Sequence, residues 1–196
     1  MKVSNEVKTK KVQQLSDLYN LVIKKMEDNK EQIYSKIKNL SRENKEEVKD
    51  KVIDIIYKSL EEAMTVTLKE LKKIYKNLNN SNIEIRDLIY NKDNKTLEER
   101  VEYWFNNIDV NNTMNLFYHM CLILDTETFQ IINQTIKNKV SSSYVEIIGS
   151  GECDHLCSEY CDGEVHKEED IEFPPYHPGC QCQVIYYEEE DIIEDI

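Results

Sequence analysis

The first 148 residues contain neither glycine nor proline. All four glycines (Gly149, Gly151, Gly163, Gly179) and all three prolines (Pro174, Pro175, Pro178) fall in the last 48 positions. At ordinary usage, about 12% for the two together, roughly 18 would be expected in that stretch. Their absence leaves the chain few obligatory breaks and counts against a turn-dense body. No long hydrophobic run is present either. The longest, Met114–Leu124, is interrupted by Asn115 and His119 and is too short to cross a bilayer, so it is expected to be a buried core helix. The opening Met1–Glu6 lacks the apolar segment of a secretory signal. A soluble, intracellular protein is therefore expected, without a membrane partner. In that setting thiols stay reduced, and clustered cysteines favour a metal over disulfides.

Basic residues are missing from one end. Residues 151–196 hold 15 Asp/Glu against Lys167 alone, while the rest carries 23 acidic and 24 basic residues. The whole net charge of −13 thus belongs to the C-terminal part. A body with a charge of +1 spread along it has no basic stripe for phosphate backbones, and its mixed Lys/Glu surface reads as a solvated helix face. Glycine, proline and charge together place a boundary near residue 140.

Within residues 1–140 the apolar positions recur at helical spacing. Val7, Val12, Leu15, Leu18, Val22 and Met26 predict a first helix, and Ile33, Ile37 and Leu40 a short second one. Val48, Val52, Ile55, Ile56, Leu60, Ala63, Leu71, Ile74, Tyr75 and Leu78 fit one face of a helix over 45–78, about 50 Å long at about 1.5 Å per residue. Ser81-Asn-Ile-Glu84 and Thr96-Leu-Glu-Glu99 match the capping-box pattern, predicting helix starts near 82 and 97. Met114–Ile136 completes the body as its central helix. Asn-rich pieces at 77–82, 91–94 and 106–112 read as connections. His119 and Cys121 are expected as a satisfied core pair, and Trp104 as packing between helices. The fold expected is mainly α: long helices over 1–140, a small C-terminal α+β metal-binding module over 141–187, and an acidic tail, solvated and flexible, over 188–196.

The cysteines carry the chemistry. Five of the six lie within 30 residues: Cys153, Cys157 and Cys161, then Cys180 and Cys182. Two close-spaced donor groups separated by a loop are what a tetrahedral structural site requires, and zinc is the expected ion. A segment this short rarely buries enough apolar surface to fold alone, whereas structural zinc contributes about 10–16 kcal/mol at neutral pH. Cys153 and Cys157 form one candidate pair, and Cys180 and Cys182 the other. His177 can replace one of the latter, and Cys161, spaced from Cys157 as Cys157 is from Cys153, leaves a 157/161 pairing open. His155 and His166 read as surface residues.

A catalytic reading is weighed on His166-Lys-Glu168 and the later Cys pair. Zinc deaminases use a His, a Pro-Cys-x-x-Cys pair and a proton-shuttling Glu. Here the string is Pro178-Gly-Cys180-Gln-Cys182, and only 11 residues, Pro174 and Pro175 among them, separate Glu168 from Cys180. The chain is therefore expected not to be an enzyme. No glycine-rich phosphate loop or Ser/His/Asp set appears elsewhere.

The string Pro174-Pro-Tyr-His177-Pro-Gly-Cys180-Gln-Cys182, followed by Gln183–Tyr187, resembles the C-terminal module of tailed-phage minor head proteins, the head-morphogenesis family related to the phage Mu F protein. The likeness covers residues 140–187, a strand over Gln183–Tyr187 included, with Val140–Ile148 as the lead-in. It departs at the first pair, usually Cys-x-x-Cys and here spaced by three residues, and at Gln181, where the family often has Arg. The resemblance implies a non-enzymatic capsid-assembly protein of the virion, made in the bacterial host cytoplasm. Its implied partners are the portal protein and the major capsid protein, with packaged DNA as a further contact. Some relatives continue into an enzymatic domain, which is not expected after Glu188–Ile196. The competing readings are an intracellular zinc-binding interaction or regulatory protein and a zinc-dependent hydrolase or deaminase.

Overall fold

The computed structural model describes residues 2–40, 44–80, 82–85, 95–108, 112–149, 157 and 161–193. Its helices are α1 (Asn5–Ile37), α2 (Lys45–Ile74), α3 (Leu97–Asn107) and α4 (Thr113–Lys139). The fold is mainly helical, with a small C-terminal strand region and a cysteine cluster.

With no proline or glycine available, Ser, Asn and Thr side chains start the helices. The N-caps Ser4, Asn44, Thr96 and Asn112 each accept a backbone N–H of the first turn, satisfying donors the helix leaves orphaned. At Thr96 the expected capping box forms in full, with Glu99 returning to the Thr96 N–H. The helix start expected near 82 lies later: Asn82, Ile83 and Glu84 are irregular and Ile85 is helical, while Ser81 and residues 86–94 lie outside the described residues.

Two helix boundaries differ from the periodicity. The first two predicted helices are one, because nothing between Met26 and Ile33 breaks the backbone ladder. Asn29 is buried at the join. The helix over 45–78 stops at Ile74, and long-range bonds explain why. The Tyr75 hydroxyl donates to Tyr186 O at 3.1 Å and accepts from Tyr186 N at 3.2 Å. Leu78 then forms a β-bridge to Val140. Burying the Tyr75 hydroxyl between two backbone partners outweighs one more helical turn.

The helices α1, α2 and α4 pack on one another, and α3 packs on α2 and α4. A three-stranded antiparallel sheet follows α4, in the order β3 (His166–Lys167), β2 (Tyr144–Ile148), β4 (Gln183–Tyr187). Strand β4 lies against α1 and α4. One hydrophobic core runs without interruption from Leu15 and Tyr19 through Ile56, Leu124 and Ile136 to Val145 and Tyr187. The compositional boundary near 140 coincides with the end of α4 at Lys139.

The acidic end is not a free tail as far as Ile193. Strand β5 (Ile192–Ile193) pairs with β1 (Lys2–Val3). Lys11, 6% exposed, holds Asp191 at 2.6 Å and Glu188 at 3.4 Å. A buried ammonium is costly without carboxylates, and this segment supplies two. The last three residues, 194–196, lie outside the described residues. The pair expected between His119 and Cys121 does not form a core either. Both are half-buried, and His119 instead stacks on Trp104, ring centroids 3.4 Å apart. Trp104 thus packs between helices as expected.

Candidate metal centre

The knuckle that carries Cys180 and Cys182 is set on α4 by polar residues of an otherwise apolar helix. Gly179 has φ +80°, and a Cβ there would meet Leu122 Cδ1 at 2.7 Å. Both the left-handed backbone and the close approach require glycine. The Gly179 N–H donates to Thr126 Oγ1 at 2.7 Å. Seven residues after Thr126, Asn133 Nδ2 donates to Cys182 O at 3.0 Å, and Asn133 Oδ1 accepts from Val184 N at 3.2 Å. Tyr19 donates its hydroxyl to the same Asn133 oxygen and accepts from Val184 N at 3.2 Å. Gly179 N, Cys182 O and Val184 N are thereby each matched to a side chain of α1 or α4.

The sulfurs of Cys157, Cys180 and Cys182 lie within 4.8 Å of one another, and all three residues are buried. Cys157 Sγ is 3.9 Å from Cys180 Sγ and Cys161 Sγ 3.6 Å from Cys182 Sγ. A tetrahedral ion with metal–sulfur bonds of about 2.3 Å needs sulfurs about 3.8 Å apart. The spacing fits. The three close cysteines can therefore bind a metal ion. They share a small apolar shell with Ile147 and Tyr176, distinct from the main core.

His177 stands beside them, its Nε2 3.0 Å from Cys157 Sγ. Its Nδ1 lies 2.9 Å from Pro178 O. With Nδ1–H donated to that carbonyl, the Nε2 lone pair faces the sulfur cluster, the tautomer a metal-binding imidazole needs. Among the thiols the charge is uneven. Hydrogen bonding from the Cys182 thiol and backbone holds Cys180 below the ordinary thiol range against its burial. Acting as that donor, and being buried, pushes Cys182 up. One thiolate is favoured where several cannot ionise together, and a cation would relieve that restriction.

Of the residues expected at the site, the structure brings together Cys157, His177, Cys180 and Cys182. Cys161, the alternative donor, joins them. Cys153 and His155 lie outside the described residues. His166 Nε2 sits 3.0 Å from Asp162 Oδ2, a surface ion-pair position. Glu168 is remote. Its N–H donates to Ser143 O at 2.8 Å, and its carboxylate accepts from the Tyr186 hydroxyl at 3.0 Å and pairs with Lys137 at 3.2 Å. Tyr144 pairs with Lys167 and Ile148 with Gln183, so Glu168 and Cys182 flank opposite ends of β2, roughly 13 Å along the strand.

Thr126, Asn133 and Tyr19 were not singled out by sequence reasoning. A signal existed: Leu122, Thr126 and Asn133 fall four and seven residues apart, one face of α4, and two of the three are polar within a buried helix. No protein-family model, curated protein or solved structure matches this chain.

Proposed function

We propose that the chain is a non-enzymatic minor head protein of tailed-phage type, its C-terminal module closed by a structural zinc ion. The observation that carries the reading is the cluster of Cys157, Cys180 and Cys182, formed where the Pro-Pro-x-His-Pro-x-Cys-x-Cys string turns into β4. Soft thiolates at tetrahedral spacing favour zinc over harder ions. When bound, the ion supplies charge compensation and cross-linking. The residues that would hold it are Cys157, Cys180 and Cys182 with His177 or Cys153 as the fourth. Burial of the three central sulfurs supports a closed, structural site rather than one open to substrate. The position of Glu168, tied to Tyr186 and Lys137 at the far end of β2, speaks against a deaminase-type proton shuttle.

In this reading the long helices dock on the portal or the inner face of the major capsid protein, within reach of packaged DNA. The module is a rigid projection from them. The protein assembles in the bacterial cytoplasm and ends in the virion. Metal content of the reduced protein tests the ion: about one zinc per chain, lost from a Cys180→Ser/Cys182→Ser variant, is expected. Co-expression with portal and capsid proteins tests the assembly role. Failure to copurify with either, with zinc present, favours an interaction or regulatory protein instead.

A further inference from the structure

The described residues place five soft donors around a position that needs four. Cys157, Cys180 and Cys182 are buried to within 1% of complete. His177 presents Nε2 at 3.0 Å from Cys157 Sγ with its other nitrogen on Pro178 O. Cys161 differs from the other three cysteines. It is half-buried rather than buried, and it approaches the cluster from the Cys182 side, with its sulfur 3.6 Å from Cys182 Sγ. Its backbone N–H caps onto Cys157 O at 3.0 Å, one helical turn from a central donor. Two residues on, Gly163 O accepts from Lys8 Nζ at 2.7 Å, which ties the segment to α1.

We infer that Cys161 is a redox-reactive thiol that releases the metal by forming a disulfide with Cys182, rather than a permanent ligand. The inference rests on the zinc reading above. The substrate class is a two-electron oxidant of the peroxide type. The Cys161 thiolate attacks one peroxide oxygen, the O–O bond breaks, and the product is a sulfenic acid with one water released after protonation. The Cys182 sulfur then attacks the sulfenyl sulfur, the S–O bond breaks, and hydroxide leaves to become a second water. The two cysteines together lose two electrons and peroxide gains them. Cys182 no longer supplies an electron pair to the metal, so three donors remain and affinity falls. Reduction by a dithiol reverses the step.

Geometry makes Cys161 the entry point. Among the four described cysteines of the cluster it is the one with solvent access, whereas Cys157, Cys180 and Cys182 are buried together with Ile147 and Tyr176. The 3.6 Å sulfur contact requires only a modest closure to reach the S–S bond length of about 2.05 Å. The consequence is local. Cys182 O and Val184 N are anchored on Asn133, so β4 stays on α4 while the loop ahead of it loses its metal cross-link.

The test uses the full-length, zinc-loaded chain and hydrogen peroxide, with a colorimetric chelator reporting free zinc. Wild type is expected to release its zinc while losing two thiols, and peptide mapping should show Cys161 joined to Cys182. Cys161→Ser is expected to keep one zinc per chain and to release it about tenfold more slowly under the same peroxide. Loss of zinc from untreated Cys161→Ser would make Cys161 a ligand and overturn the inference while leaving the zinc site intact. Equal release rates in wild type and variant, or a disulfide between other cysteines, overturn it as well. A wild-type chain that binds no zinc removes the metal reading itself, an outcome recognisable before peroxide is added.

Discussion

The helical body and the cysteine module are held by opposite means. In the body, helices of 33, 30, 11 and 27 residues satisfy their own backbone and bury aliphatic faces against one another. In the module, strands of two and five residues and a proline-rich loop depend on contacts brought from far along the chain. Tyr19 and Asn133 cap the turn into β4, Thr126 holds Gly179, and Lys8 bridges Glu146 at 2.8 Å and Gly163 O. A region poor in glycine and proline organises itself locally. One that is rich in them reaches its shape only when side chains and sulfur fix it from outside.

The largest expected effect breaks the two regions apart. Structural zinc contributes about 10–16 kcal/mol in small domains, so a strong chelator, or the Cys180→Ser/Cys182→Ser variant, should abolish amide-exchange protection around Cys157 and Gln181–Gln183. Protection in α1 and α2 should persist. If both regions lose protection together, the contrast is wrong and the continuous core makes them one cooperative unit. If neither does, the cysteines are not cross-linked by a metal.

Next in size is the anchor between them. Replacing Asn133 with Leu leaves Cys182 O without its donor and removes an acceptor shared by Val184 N and Tyr19. A buried polar group left unpaired costs about 1–3 kcal/mol, so a loss of about 3 kcal/mol in urea unfolding is expected, along with weaker zinc affinity. A loss below about 1 kcal/mol would mean that water replaces the side chain.

These anchors also mark where the sequence stops being legible. Helical periodicity reads well because burial in a helix repeats every few residues, and α4 follows from it, as the capping box at Thr96 follows from the local Thr-x-x-Glu spacing. Strand β4 was expected from the phage-like ending and spans the same five residues, Gln183–Tyr187. The sulfur cluster was legible because donor spacing is a local property. What could not be read is any bond made at long separation. The end of α2 is set by Tyr75 reaching Tyr186, 111 residues away. Asn29 looks like a breaker yet continues α1, because tertiary burial overrides a weak propensity. The acidic end looked solvated because composition cannot reveal that Lys11, 177 residues from Glu188, is buried and needs it.

That contact gives a smaller, third effect. Lys11→Met keeps a side chain of similar length but removes the ammonium that lies over the Tyr75 ring at 4.8 Å and pairs with Glu188 and Asp191. The ion pairs are mostly shielded, with the Lys11 side chain 8% exposed and those of Glu188 and Asp191 16% and 13%. A loss of about 1–2 kcal/mol is expected. Limited proteolysis should now cut after Tyr187 while the helices stay intact. Unchanged resistance to protease would show that the β1–β5 pairing alone holds the end.

The smallest effect sits wholly inside the body and gives it one proton-sensitive contact of its own. His119 stacks on Trp104, the only tryptophan, and its Nδ1 is buried with no hydrogen-bond partner among the described residues. Burial lowers its affinity for a proton from the ordinary value of 6.5. The unfolded chain therefore binds a proton there more readily than the folded one. This contribution to stability is present above pH 6.5 and is lost as pH falls below it toward the folded value. Trp104 fluorescence should report the change, since the imidazolium forms against its ring. His119→Phe keeps an aromatic surface on Trp104 and removes the titration, so its stability should fall less than that of wild type between pH 7 and pH 5.5. Parallel pH profiles for the two would assign the acid sensitivity elsewhere, with the thiolates of the module the first place to look. A steeper profile in the variant would mean that protonated His119 is held by the Trp104 face, the cation–π attraction outweighing desolvation.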